Sequence, residues 1–366
     1  MDATSTVPAR IEYGREAMRA IKTSKPALHR CLVYALVISF LLITLPSTGC
    51  GPAGITFPDA NLEAAIREAV GKPTGNIYEA DLGKLTSFDA TGRGIVALTG
   101  LEHATGLAHL DLCSNNISDI SALADLTSLT SLHLDSNQIG DVSPLTSLTK
   151  MRELYIGWNN VSDISALANL TNLTWLDLEG NQISEISALS ALTSLTHLDL
   201  HSNLISQISP LAHLPSLRQL HLGWNKIIDM SAIASMTGLT WLDLDSNQIS
   251  DVSALASLTG LTDLYLGWNR ISDISAIANL TGLRILDLAG NQIRDISPIA
   301  GLASLGELYF FVNQISDIWP LVANTGLGDG DQVDLGENPL SDASLYIYIP
   351  QLQARGVTVF YNSSAG

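Results

Sequence analysis

Residues 173–194 read L-T-W-L-D-L-E-G-N-Q-I-S-E-I-S-A-L-S-A-L-T-S, and variants of this 22-residue phrase repeat on both sides of it. Its first residue returns as Leu85, Leu107, Leu129, Met151, Leu173, Leu195, Leu217, Leu239, Leu261, Leu283 and Leu305. In the quoted copy Leu173, Leu176, Leu178, Ile183, Ile186, Leu189 and Leu192 carry the apolar pattern, and Asn181 holds the ninth position. A short fixed period means stacked units, each burying its apolar side against its neighbours. Leu176 and Leu178 are two apart, so on a strand they point to one side. Stacked parallel strands about 4.8 Å apart, about eleven or twelve of them, give a face on the order of 55 Å long.

The spacing L-x-x-L-x-L-x-x-N resembles the leucine-rich repeat signature. The resemblance implies an α/β solenoid, a right-handed arc with a parallel sheet on its concave side. It also implies 3₁₀ turns on the convex side and a helical N-terminal cap. The ninth-position asparagine recurs as Asn115, Asn137, Asn159, Asn181, Asn203, Asn225, Asn247, Asn269, Asn291, Asn313 and Asn338. A buried amide must satisfy its donors and acceptor, so this column is expected to bond loop backbone in its own and the adjoining turn. On the opposite side the recurring S-D-I-S, as at Asp119 and Ser121, places a serine to cap a short 3₁₀ turn. Pro144, Pro210 and Pro298 follow that serine and suit the first helical position. Trp319 replaces it near the end, which suggests that the stack is closing.

The ends differ from the repeats. Asp59 is a good helix N-cap, Leu62, Ala65, Ile66, Ala69 and Val70 form one stripe, and Gly71 and Pro73 end the helix. A second short helix is expected over Ile77–Leu82. The segment F-P-D-A-N-L-E-A-A-I-R-E-A-V-G-K, residues 57–72, is similar to the N-terminal cap of the internalins. These are bacterial surface proteins with 22-residue leucine-rich repeats. The resemblance covers roughly residues 55–325 and implies a protein-binding habit. It breaks at the C-terminus, where neither a sortase motif nor an immunoglobulin-like domain is read, so host-cell invasion is not carried over. There the register slips by three residues near Gly328–Gly330 and resumes at Val333, Leu335, Asn338 and Leu340. A helix over Ala343–Arg355 and a strand over Val357–Tyr361 should follow. The domains are therefore an export signal (1–49), a linker and helical cap (50–84), repeats (85–326), and a degenerate last repeat with a C-terminal cap (327–366).

The first fifty residues read as an address. Arg19, Lys22, Lys25 and Arg30 precede an apolar run, Cys31 to Leu45, too short for a comfortable membrane span. Met18 is an alternative start. The following P-S-T-G-C resembles a bacterial lipobox and makes Cys50 the expected lipidation site, although Ser47 stands where that family prefers leucine. Ser47 and Gly49 also satisfy ordinary signal cleavage, so secretion stays open beside anchoring at the cell surface or periplasmic face. The L-P-S-T-G at residues 45–49 lies after its apolar segment, the wrong order for wall anchoring. With Cys31, Cys50 and Cys113 alone, no disulfide framework is expected.

Charge narrows the partners. The chain has 18 basic and 36 acidic residues; six and three of these precede Cys50, leaving 12 and 33, a net charge of −21. Such a surface repels nucleic acid and anionic membranes. A basic protein, a cation or a neutral glycan fits better, and membrane contact is expected only through the lipid.

Function must reside in side chains that the repeat does not dictate, at its positions three, five, seven and eight. Trp158, Trp224 and Trp268 hold position eight, each directly after a glycine that would let the indole lie over the sheet. Trp175, Trp241 and His197 stand at position three; Tyr155, Tyr265, Tyr309, Asp177, Asp199 and His221 stand at position five. Aromatics interleaved with polar groups are typical of protein-binding hot spots and equally suit stacking on sugars. The competing reading packs the tryptophans sideways against the next loop. His197, Asp199, His201 and His221 offer metal donors on adjacent strands, but His197 and His201 stand about 13 Å apart, and no metal or cofactor is expected. The same histidines, crowded by acids, would charge in mild acid. There is no phosphate loop, no H-E-x-x-H and no nucleophile elbow, so no enzyme is expected.

Overall fold

The buried asparagine amide sets the architecture. In the computed structural model, which describes residues 53–362, the export segment with Met18 and Cys50 lies outside the described residues. Asn181 Nδ2 donates to Ile156 O of the preceding turn (3.1 Å) and to Leu178 O of its own turn (3.1 Å). Its Oδ1 accepts the Val161 N–H at 2.9 Å. One side chain thus satisfies backbone groups in two turns. The bonds to Leu112 O and from Ile117 N at Asn137, and to Leu288 O and from Ile293 N at Asn313, repeat the pattern.

Thirteen three-residue strands then pair in strict chain order into one parallel sheet, from Ser87–Asp89 to Thr358–Phe360. The central leucines align across it, Leu154 with Leu176, Leu198 and Leu220 in turn. Both inward leucines of the quoted copy, Leu176 and Leu178, are fully buried. The core is a continuous column of such residues between sheet and convex side.

On the convex side nearly every turn carries a short 3₁₀ helix, such as Ser165–Asn169. No serine side chain caps it as the sequence suggested; the aspartate two residues earlier accepts its first N–H instead. Asp119, Asp163 and Asp251 Oδ1 each accept the N–H of the serine two residues on, at 2.8 Å. A carboxylate accepts more strongly than a hydroxyl. These backbone bonds, with the serine hydroxyls, hold the three carboxyls below the ordinary range.

The caps keep the expected plan with shifted edges. The first helix is Ala60–Ala69. Asp59 Oδ1 accepts the N–H groups of Asn61 and Leu62, and its Oδ2 accepts those of Val96 and Ala97. One carboxylate therefore caps the helix and ties it to the first turn. Leu62, Ala65 and Ile66 are buried, whereas Ala69 is exposed. The second helix is only Glu79–Leu82, because Ile77 is drawn into an antiparallel bridge with Ile55.

At the far end Leu308 pairs with Val333, the three-residue slip seen in the sequence. Trp319 begins a short α-helix, Trp319–Ala323, and the last two strands follow it. Asn324, fully buried, bonds Ile299 O and Leu302 O and was not singled out by the repeat pattern. The last helical segment opens as a π-turn, Ser344–Tyr348, and continues as an α-helix, Ile349–Ala354. Pro350 lacks the N–H that a regular ladder needs, which is a physical reason for the wider turn. Among the described residues no helix is long and apolar enough to cross a membrane.

Replacing Asn181 by alanine strands the Val161 N–H in the interior and leaves Ile156 O and Leu178 O with one amide donor each, from Asn159 and Asn203. It should cost about 1–3 kcal/mol, read as a lowered urea midpoint. The exposed neighbour change Gln182→Ala should stay within about 0.5 kcal/mol. Equal midpoints for the two variants would contradict the ladder's role.

Candidate functional site

Position eight has a backbone property that its varied residues conceal. Ser114, Ser136, Trp158, Ser202, Trp224, Ser246, Trp268, Val312 and Glu337 all adopt left-handed backbone, with φ between 52° and 57°. The chain must leave the strand and turn its next residue, the asparagine, inward. A non-glycine residue in this conformation costs roughly 1–2 kcal/mol. Three of these places carry tryptophan, and their indoles are exposed: Trp158 by 46%, Trp224 by 52% and Trp268 by 54%. They line one rim of the concave face. At about 4.8 Å per strand they are spaced about 14 and 10 Å apart.

Room for two of the indoles comes from a glycine in the next turn, not from the one that precedes them. A Cβ on Gly180 would lie 2.8 Å from the Trp158 ring, and one on Gly290 would lie 2.7 Å from the Trp268 ring. Trp158 Nε1 donates to Glu179 Oε2 at 3.2 Å, and Trp268 meets Phe311 edge-on with centroids 6.1 Å apart. The sideways packing that competed with binding is thus partly realised, yet about half of each indole remains in solvent.

The preceding glycines serve carboxylates. In turns with aspartate at position five, its Oδ1 accepts the N–H two residues on: Asp177 from Glu179, Asp199 from His201, Asp243 from Asp245, Asp287 from Ala289. Tyr155 and Tyr265 cannot do this. There the Gly157 and Gly267 N–H groups donate to Asp135 and Asp245 of the preceding turn, at 2.7 and 2.5 Å. A Cβ on Gly157 would stand 3.1 Å from Asp177 and 3.3 Å from Asp135. Asp177 and Asp199, candidate ligand-binding residues, therefore also hold the turn.

The strand aromatics are joined in two runs. His133 lies over Tyr155 (4.3 Å), Tyr155 beside Trp175 (5.9 Å), and Trp175 stacks on His197 (4.2 Å). His221 stacks on Trp241 (3.8 Å), which tilts toward Tyr265 (5.2 Å). Tyr309 Oη donates to Glu307 Oε2 at 3.0 Å. Trp175, Trp241, His197 and His221 are half-buried, a floor beneath the exposed rim.

The histidines do not gather as ligands. Among the described residues, His197, Asp199, His201 and His221 form no group of three donors within reach of one ion; Asp111, Cys113 and His133 do. His197 Nδ1 lies 2.8 Å from Thr196 Oγ1, and His201 Nδ1 faces Glu179 at 3.5 Å. His221 Nδ1 lies 3.8 Å from Asp199 Oδ2. Nor do all the histidines charge in mild acid. Burial, aided by the charge on His201, pushes His221 down to about 4, and burial also lowers His197. His201 moves up despite its burial, because Glu179, Asp243 and Asp199 favour its proton. The carboxyls take up protons instead. Burial and the neighbouring Asp177 charge push Asp199 up to about 8; burial puts Asp177 and Asp287 at about 6 and raises Asp243 and Asp245.

Known proteins share the repeat and its fold. The family described as Leucine Rich repeats (2 copies) matches residues 105–147, 127–169, 171–213, 193–235 and 237–279. A single leucine-rich repeat matches residues 280–296. An internalin, inlF, from Listeria monocytogenes is similar in structure with a TM-score of 0.79 at 35% identity, over 84% of this chain and 92% of that one. A leucine-rich repeat protein of Leptospira interrogans shares the fold at a TM-score of 0.56 and 20% identity, over 73% and 81%. A TDR receptor shares it at 0.64 and 19%, over 78% and 57%. No curated protein matches the sequence.

Stability should follow the raised groups. A carboxyl raised on folding stabilises the fold while protonated, and that contribution is lost as pH rises through its folded pKa. Asp199, faced by Asp177, Glu179, His201 and His221, and the raised His201 share this sign. The thermal midpoint should therefore climb when pH falls from 8.5 to 6.5. Below that, the lowered His197 and His221 oppose it, since the unfolded chain then binds more protons. Asp199→Asn should flatten the climb; a midpoint that falls between pH 8.5 and 6.5 would contradict the assignment.

Proposed function

The chain belongs to the leucine-rich repeat proteins, in their bacterial internalin-like class, and we propose that it binds a protein ligand on its concave face. Leucine-rich repeat solenoids are protein-binding folds with extended concave surfaces, and members of this class are typically non-enzymatic. The observation that carries the finer reading is the set of left-handed, half-exposed tryptophans, Trp158, Trp224 and Trp268. A strained backbone position is filled by serine or glycine in most turns; a large apolar side chain there costs stability and gains exposed apolar surface. Such anchors suit hot spots, in which a few aromatics carry most of the binding energy.

In this reading the indole rim supplies affinity and the stacked floor, Tyr155, Trp175, His197, His221, Trp241 and Tyr265, supplies shape. The acidic column, with Asp177 and Asp199, favours a basic patch on the ligand and discourages nucleic acid. The chain is exported and held at the membrane by a lipid on Cys50. Indoles beside carboxylates also suit a sugar ring, as with Trp158 beside Glu179, so a glycan is the alternative ligand.

Affinity capture from extracellular extracts should retain a ligand on the wild-type protein. Substitution of Trp158, Trp224 and Trp268 by alanine together should weaken it by at least about 100-fold, from costs of about 1 kcal/mol or more apiece. Free sugar should leave capture intact. Equal capture by a folded triple variant would move the site off the rim, and release by sugar would favour the glycan. For the anchor, a fatty-acid analogue fed to expressing bacteria should label the wild type and not Cys50→Ala. An unlabelled wild type recovered from the medium would instead establish plain secretion.

A further inference from the structure

We propose that Asp111, Cys113 and His133 form a binding site for a divalent transition-metal ion, zinc by its donor set, with Asp135 beside it as a fourth donor. Their ligand atoms (one Asp oxygen, the Cys sulfur, one His nitrogen) lie within 4.8 Å of one another, and all three residues are half-buried at the concave surface. Asp111 and His133 are lateral partners on adjacent strands, and Cys113 follows Asp111 by two residues. A mixed sulfur, nitrogen and oxygen set selects zinc-like ions over calcium or magnesium, which prefer oxygen alone.

The donors are held by backbone N–H groups and by a side-chain relay. Asp111 Oδ1 accepts the Cys113 N–H at 2.9 Å, which turns Oδ2 toward His133 Nδ1, 4.0 Å away. Asp135 Oδ1 accepts the Gly157 N–H at 2.7 Å, and its Oδ2 lies 3.6 Å from Cys113 Sγ. His133 Nε2 meets Ser131 Oγ at 3.2 Å, and that hydroxyl donates to Glu153 Oε2 at 3.1 Å. With the serine proton directed at Glu153, Ser131 Oγ accepts from Nε2–H, and the lone pair of Nδ1 faces the cluster. A carboxylate–hydroxyl–imidazole relay of this kind orients and strengthens metal-ligating histidines. The His133 ring is further braced against Tyr155.

Without a cation the arrangement is poorly matched. At 4.0 Å, His133 Nδ1 and Asp111 make no hydrogen bond, and no lysine or arginine among the described residues pairs with Asp111 or Asp135. Tetrahedral zinc holds its donors roughly 3.3–3.8 Å apart, so side-chain movements of about 1 Å bring Asp111, Cys113 and His133 to that spacing. On loading, the Cys113 S–H bond breaks, a Zn–S bond forms, and the proton passes through Asp135 to solvent; His133 enters neutral and no electrons are exchanged. Position eight of this turn is Ser114, without an indole to cover the approach.

The test is a titration of the purified full chain, stripped of metal, with Co²⁺ and then competing Zn²⁺. The expected result is a thiolate-to-cobalt charge-transfer band that saturates at one equivalent and is displaced by zinc. Cys113→Ser should abolish the band, and His133→Ala should weaken cobalt binding at least 10-fold. Ser131→Ala, which touches only the relay, should weaken it by about 10–100-fold. His201→Ala and a Cys31→Ser, Cys50→Ser double variant should bind like wild type, and circular dichroism should show every variant folded. Absence of the band in wild type, or its persistence in Cys113→Ser, would overturn the site. Loss of the band in the Cys31, Cys50 double variant would assign the thiolate elsewhere and overturn it equally. The rim tryptophans are untouched by these changes, so this result and the ligand-capture result can fail independently.

Discussion

Everything on the surface of this protein is subordinate to an amide that water barely reaches. The asparagine at the ninth position of each repeat is 6–9% exposed from Asn115 to Asn313, and it bonds backbone in two turns at once. Removing a buried polar group from water is costly unless every donor and acceptor finds a partner. Among the described residues no buried side-chain nitrogen or oxygen lacks one. The ladder thereby fixes the position of each turn on the next, and with it the strand register, the left-handed residue before the asparagine and the direction in which the strand side chains project.

That constraint sorts the concave face into committed and free residues. An aspartate at position five spends one oxygen on its own turn and presents the other. Where tyrosine takes its place, at Tyr155 and Tyr265, the neighbouring turn supplies the missing carboxylate and glycine makes space for it. The exchange frees position five for an aromatic without leaving a backbone N–H unpaired. The rim tryptophans differ in kind: nothing in the ladder requires their side chains, and the backbone there tolerates them at a cost. A rigid sheet beneath an exposed aromatic rim is preorganised, which reduces the ordering entropy that binding must overcome.

Much of this was legible in the sequence, because a period of 22 and a fixed asparagine leave few architectures. The strands, the asparagine ladder, the Asp59 cap and the three-residue slip follow from pattern and spacing alone. What escaped was whatever depends on backbone conformation or on lateral register. Serine, tryptophan, valine and glutamate share no composition that announces a left-handed residue at position eight. The convex cap was assigned to serine, although an aspartate two residues earlier is the stronger acceptor. The histidines near Asp199 looked responsive to acid, but charge counting ignores burial, which lowers His197 and His221 and raises the carboxyls, while His201 alone of these histidines moves up. The Asp111, Cys113 and His133 cluster was missed because it joins two repeats. Residues 22 apart are side by side in this fold, and reading the columns laterally around Cys113 would have shown it.

Hydrogen exchange at single amides tests the asparagine ladder most directly, in wild type and in Asn203→Ala. The Ile183 N–H donates to Asn203 Oδ1 at 3.0 Å, whereas Ile293 N–H, several turns away, relies on Asn313. The ladder account requires protection to collapse at Ile183 and its adjoining turns while Ile293 stays protected. Unchanged protection at Ile183, with the variant otherwise folded, would show that the turns are held together by apolar packing alone.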